Sequence, residues 1–132
     1  MSYLLDAHTL IWAVTTPDKL SPKVIEIIED PANKVFISTV TFWEISLKFS
    51  LGKLDLRRRT PESLADTAIK IGFTHLPLSL KESVEYHKMD AKWHRDPFDR
   101  MLIWQAINND LTLLSKDKTI AQYKSVGLKV IW

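Results

Sequence analysis

Along this chain, short apolar runs alternate with stretches in which apolar residues recur at helical spacing. Tyr3-Leu4-Leu5 is a compact apolar run that stops at Asp6, as a buried strand does. Ser21-Pro22 supplies a hydroxyl cap and then proline at the first helical position; Val24, Ile27 and Ile28 follow at helical spacing until Pro31. Val35-Phe36-Ile37 is β-branched and aromatic and reads as a second strand. Residues 41–52 are ambiguous, because Ile45, Leu47, Phe49 and Leu51 alternate as in a strand. Thr41 and Glu44 as a capping box, with Gly52 as the stop, predict a helix there.

Thr60-Pro61-Glu62 opens a further helix with Leu64, Ala68 and Ile71 on one face, ended by Gly72. Residues 73–78 form a short strand-like stretch interrupted by Pro77. Ser79 and Glu82 make a second capping box, starting a helix through about Met89. Asp96-Pro97 starts the helix that carries Met101 to Ile107, and Asn108-Asn109 ends it. Residues 111–114 and 128–131 read as strands joined by a short helical link. No repeat, low-complexity tract or linker interrupts the pattern. Strands separated by helices predict an α/β three-layer sandwich with a mainly parallel central sheet of four to five strands, in a single domain over residues 1–132.

Composition narrows the classes. With 45% hydrophobic and 26% charged residues, the chain has enough apolar material for a globular core. Zero cysteines exclude a disulfide framework and thiolate metal sites, and suit a reducing compartment. The 18 Lys+Arg nearly balance the 16 Asp+Glu, so there is no global nucleic-acid footprint. No apolar run approaches the roughly 18 residues of a membrane span. No secretory signal pattern precedes Tyr3, so a cytoplasmic location is expected.

In a parallel sheet, the residues after each strand gather at one edge. Asp6 follows the first strand and Asp117 the strand at 111–114; Glu44, Asp96 and Asp99 lie in first turns of helices. Carboxylates gathered there repel one another, by about 4 kcal/mol for unit charges about 4 Å apart at an effective dielectric near 20. They call for a counter-cation, and an all-oxygen set favours Mg²⁺ or Mn²⁺ over zinc. Helix capping is the competing explanation for Glu44, Asp96 and Asp99, and a turn for Asp117. Asp6 has no capping role if the next helix starts later.

Leu4-Leu5-Asp6-Ala7-His8-Thr9, Phe42-Trp43-Glu44-Ile45, His94-Arg95-Asp96-Pro97-Phe98-Asp99-Arg100 and Leu114-Ser115-Lys116-Asp117 together resemble the PIN-domain nucleases, above all the VapC-type toxins of bacterial toxin–antitoxin pairs. The resemblance runs from Tyr3 to Trp132. It implies a ribonuclease that hydrolyses RNA phosphodiester bonds with Mg²⁺ or Mn²⁺, held by the quartet Asp6, Glu44, Asp99 and Asp117. Asp96 is an additional acid, either ligand or cap. Thr9 and Ser115, beside two of the acids, are either hydrogen-bond partners of a ligand or metal-bound water, or ordinary turn hydroxyls. Ala7, where many relatives carry threonine, and Trp104, where a small residue is common, depart from the family pattern without touching the acids.

The resemblance also implies a homodimer and a cognate antitoxin, gripped through apolar residues exposed on the helices at 24–28 and 41–51, including Trp43 and Phe49. Arg95 and Arg100 are candidate RNA phosphate contacts, and Arg57-Arg58-Arg59 is either another or a solvated loop. His8 and His94 beside the acids read more simply as surface or packing residues than as catalytic bases. Lys48 and Lys53 read as solvent-facing charges. Two other classes compete: a non-catalytic interaction module whose acids cap helices, and a receiver-type phospho-acceptor. The latter lacks adjacent acids after its first strand here.

Overall fold

The computed structural model describes residues 1–132. Five strands, β1 (Ser2–Leu5), β2 (Lys34–Ser38), β3 (Thr74–Leu76), β4 (Thr112–Leu114) and β5 (Lys129–Ile131), form one parallel sheet in the order β3-β2-β1-β4-β5. The chain steps outward from β1 to β2 and β3, then returns to lay β4 on the other side of β1. Seven helices connect and cover the strands: α1 (Ala7–Thr15), α2 (Pro22–Glu29), α3 (Thr39–Ser50), α4 (Pro61–Ile71), α5 (Leu80–Glu85), α6 (Pro97–Asn108) and α7 (Lys118–Ala121).

The period-two alternation of the strands divides the core. Tyr3 and Leu5 of β1 join Val35, Ile37 and Leu114 beneath α1, α2 and α4, through Leu10, Val24 and Leu64. Leu4, Leu113, Leu102, Ile103 and Ile120 form the opposite cluster, beneath α6 and α7. Both faces of the sheet are therefore covered, as the near-continuous apolar character of its strands requires. The expected three-layer α/β sandwich is the observed architecture.

Caps mark where elements begin. Ser21, Thr60 and Ser79 accept the backbone N–H groups of Val24, Ser63 and Glu82, and Glu82 completes the Ser79 capping box. Gly72, at φ +108°, takes the left-handed conformation that ends α4. Three boundaries differ from the sequence expectation. α1 starts immediately after β1, with no loop. α3 starts at Thr39, capped by Ser38, whose Oγ accepts the Val40 N–H at 3.0 Å, so Thr41 and Glu44 are not a capping box. α5 ends at Glu85, and a 3₁₀ turn over Tyr86–Lys88 replaces its last turn.

The segment before α6 is held by Arg100. Its guanidinium donates to the Met89 and Ala91 carbonyls and to the hydroxyls of Tyr86 and Tyr123. This corrects the expectation of an RNA contact: Arg100 is buried and its donors are spent inside the fold. The fully buried Tyr123 also accepts the His94 N–H at 3.0 Å and donates to the Ala91 carbonyl. Tyr123→Phe should leave the His94 amide without its partner. A loss of about 1–2 kcal/mol is expected, read as a melting temperature lower by several degrees. An unchanged melting curve would show that this network does not hold the segment.

Candidate metal centre at the carboxyl edge of the sheet

Leu5 pairs with Leu114, so β1 and β4 end side by side. Here the connections diverge to opposite halves of the sheet, which is where open parallel sheets form ligand crevices. A cleft of about 340 Å³ opens at this point. Asp6, Glu44, Asp96, Asp99 and Asp117 all line it, with Lys48, Lys116, His8, Thr9 and Trp12 around them. The five acids singled out from the sequence thus share one cleft.

Three of them are also helix caps, and each caps through one oxygen only. Asp6 Oδ1 accepts the Thr9 N–H at 2.9 Å and lies 2.6 Å from the Thr9 hydroxyl. Asp96 Oδ1 accepts the Phe98 and Asp99 N–H groups, and Asp117 Oδ1 those of Thr119 and Ile120. The condition under which Asp6 would have no capping role is not met, because α1 follows it directly. Oδ2 of Asp6 and Oδ2 of Asp96 accept nothing from the protein. The Thr9 hydroxyl also lies 2.9 Å from the Leu114 carbonyl, so it ties α1 to the end of β4. Ser115 Oγ accepts the Asp117 N–H at 3.1 Å and touches no cleft carboxylate.

Glu44 and Asp99 have no capping duty. Glu44 is buried; its Oε2 accepts the Lys48 ammonium, and its Oε1 has no partner. Asp99 is pushed up to about 7 by burial first, then by Asp96 and Glu44, with His94 opposing and Asp6 adding. Asp117 moves the other way. Burial works to raise it, but the His94 hydrogen bond and the amides of Thr119 and Ile120 outweigh that and hold it below the ordinary range.

Two residues read from the sequence as peripheral bond the acids of the cleft. His94 Nε2 lies 2.9 Å from Asp117 Oδ2 and 3.1 Å from Asp99 Oδ2, and the ligand atoms of these three residues lie within 4.8 Å of one another. Its Nδ1 accepts the Asp96 N–H at 3.2 Å, which places the proton on Nε2 and makes the ring a donor to both carboxylates. Lys48 is not simply solvent-facing, since it is paired with a buried glutamate. Its position, one helical turn after Glu44, was legible as an i,i+4 pair. His94 carried no such local signal, because Tyr123 fixes its backbone from 29 residues away. The remaining basic candidates stand outside. Arg95 is exposed beside Lys92 in a neighbouring shallow cleft; Arg57, Arg58 and Lys53 are exposed, and Arg59 donates to Thr67 Oγ1.

The PIN domain family model matches residues 3–126. The fold is similar to a chain of VapBC2 from Rickettsia felis bound to a DNA fragment from their promoter, at 18% identity and TM-score 0.73, covering 100% of this chain and 99% of that one. It is also similar to VapBC-1 from nontypeable Haemophilus influenzae, at 15% identity and TM-score 0.70, covering 99% and 97%. DNA-bound VapBC from Salmonella typhimurium gives 14% identity and TM-score 0.72, again covering 99% and 97%. Among curated proteins no match is found. The cleft acids all fall within the matched residues, and this chain belongs to the PIN-domain family.

The Asp99 shift makes stability pH-dependent with a definite sign. Its folded value, about 7, lies above the ordinary 3.8, so the folded chain binds the proton more tightly than the unfolded one. That stabilisation is present below about pH 4 and is lost as pH rises toward 7. Without divalent ions, Asp99→Asn should therefore melt higher than wild type at pH 7.5, by about 2–4 kcal/mol at most, and the gap should close by pH 4.5. A difference independent of pH would show that Asp99 is not the strained carboxylate.

Proposed function

We propose that this protein is a divalent-metal-dependent ribonuclease that hydrolyses RNA phosphodiester bonds as the VapC-type toxin of a toxin–antitoxin pair. The observation that carries this reading is the set of free carboxylate oxygens in one open cleft, among them the buried and unpartnered Glu44 Oε1. Capping accounts for Asp6, Asp96 and Asp117 but leaves Glu44 and Asp99 without a structural task, which disfavours a purely structural cluster. The donors are hard oxygens, a set that fits Mg²⁺ or Mn²⁺. Asp6, Glu44, Asp99 and Asp117 would hold the ion, with Asp96 either a further ligand or a cap only. When bound, such an ion lowers the pKa of a coordinated water and offsets charge on phosphoryl oxygens.

The chain's own residues do the rest. Thr9 fixes one oxygen of Asp6 and leaves the other turned to solvent or ligand. His94 donates from Nε2 and so orients Asp99 and Asp117 rather than serving as a base. Lys116 and His8 line the cleft, with Arg95 and Lys92 beyond His94, and these cations would meet phosphates. The RNA substrate and the toxin role rest on the family likeness and on VapBC similarity. So do the homodimer, the cognate antitoxin and the cytoplasmic site of action.

For the partner, Trp43, Leu47, Phe49 and Leu51 of α3 and its end are exposed. Val24 and Ile27 of α2 are buried in the core, so that helix offers less of the groove than its sequence suggests. No helix is long and apolar enough to cross a membrane.

RNA cleavage with Mn²⁺ or Mg²⁺, abolished by chelation, is the expected outcome. Asp6→Asn and Asp99→Asn should each lower the rate by about a hundredfold or more while the fold persists. Equal cleavage by these variants, or cleavage in chelator, would overturn the reading. Asp96→Asn should lose less if Asp96 serves mainly as a cap, because asparagine caps comparably well.

A further inference from the structure

Lys48 lies one turn beyond Glu44 on α3, with its Nζ 2.5 Å from Glu44 Oε2. Most pairs at this spacing sit on the surface and contribute a few tenths of a kilocalorie. This one differs in its surroundings. The Glu44 side chain is 5% exposed, its other oxygen is unpartnered, and Lys48 itself lines the acidic cleft. Lys48 brings its ammonium into a cleft lined by five carboxylates and is held there by Glu44. His94 also bonds cleft carboxylates, through Nε2 to Asp99 and Asp117, while its Nδ1 accepts the Asp96 N–H.

Five carboxylates face Lys48 and Lys116 in this cleft, so an approaching phosphodiester meets repulsion unless every cation in reach is turned to it. Lys48 takes Glu44 Oε2 and leaves Oε1 open, so the ammonium and a divalent ion would draw on the single charge of one carboxylate. The lysine stem is flexible and its head is a rotatable triple donor, able to leave one oxyanion for another nearby.

We infer that Lys48 is a catalytic residue: it neutralises Glu44 in the metal-free protein and, in the working site, contacts a non-bridging oxygen of the scissile phosphate. This rests on the nuclease reading and assigns the group that stabilises the charge developing on phosphorus oxygens.

The test combines Mn²⁺ titration by calorimetry with cleavage kinetics on wild type, Lys48→Met and Lys48→Arg. Lys48→Met removes the competitor for Glu44, so Mn²⁺ should bind tighter, by about tenfold. The same variant should lose about a hundredfold in kcat with little change in KM, the pattern of a contact made in the transition state. Lys48→Arg should retain wild-type Mn²⁺ affinity and recover part of kcat. Opposite changes in metal affinity and turnover are the signature, because a structural ion pair would lower both through a weakened fold. Unchanged kcat in Lys48→Met overturns the phosphate contact, and unchanged or weaker Mn²⁺ binding overturns the competition. If Lys48→Met fails to fold, wild-type kcat and KM in Lys48→Gln would overturn the assignment equally. A wild type that cuts no RNA overturns the nuclease reading instead, and the Mn²⁺ titration still decides the competition for Glu44.

Discussion

Mutual repulsion among carboxylates governs this structure. At the carboxyl edge of the sheet, Asp6, Glu44, Asp96, Asp99 and Asp117 face one cleft, and Asp99 rises to about 7, through burial first and then through Asp96 and Glu44. Such a cluster survives folding only if each member is held by something else. Asp6, Asp96 and Asp117 are held by helix N-terminal amides, which suit negative charge on both hydrogen-bonding and dipolar grounds. Glu44 is held by Lys48. Asp99 has only His94 and is the member least compensated.

The fold supplies those holders through its topology. Returning the chain to place β4 beside β1 brings the starts of α1 and α7 together, and the Thr9 hydroxyl links the two at Leu114. α6 enters from the other layer, and the 89–96 segment before it is fixed by Arg100 and Tyr123 deep in that layer's core. Packing on one face of the sheet thereby sets the position of His94, and through it the orientation of two acids. In the proposed reading, cation binding and stability oppose each other in the cleft: the groups that would take a cation are those that destabilise the metal-free chain.

Much of this was legible in the sequence, for physical reasons. β1, β2 and β4 are short apolar runs closed by a polar residue, and α2, α4 and α6 carry proline at their first position after a capping side chain. The acids were legible because strand ends in a parallel sheet share an edge. What escaped was residues with two tasks. Asp6 both ends β1 and caps α1, so α1, whose first turns bury Ala7, Thr9, Leu10 and Ile11, had no visible start. Ser38 does the same for α3. Choosing between cap and ligand was also a false alternative, since a carboxylate has two oxygens and a cap takes one. Arg100 was misassigned to RNA because the carbonyls and hydroxyls that absorb it come from distant segments. His94 and Lys48 were undervalued because their surroundings depend on burial that spacing does not reveal.

In the proposed reading these carboxylates form one divalent-cation centre. A crystal structure of the protein grown with Mn²⁺, with the metal located by its anomalous scattering, tests it most directly. A Mn²⁺ peak is expected in the cleft, bonded to carboxylate oxygens of Asp6 and Asp99 and reached by the free Oε1 of Glu44. An empty cleft, with Mn²⁺ bound only to exposed carboxylates such as Asp110, would contradict it.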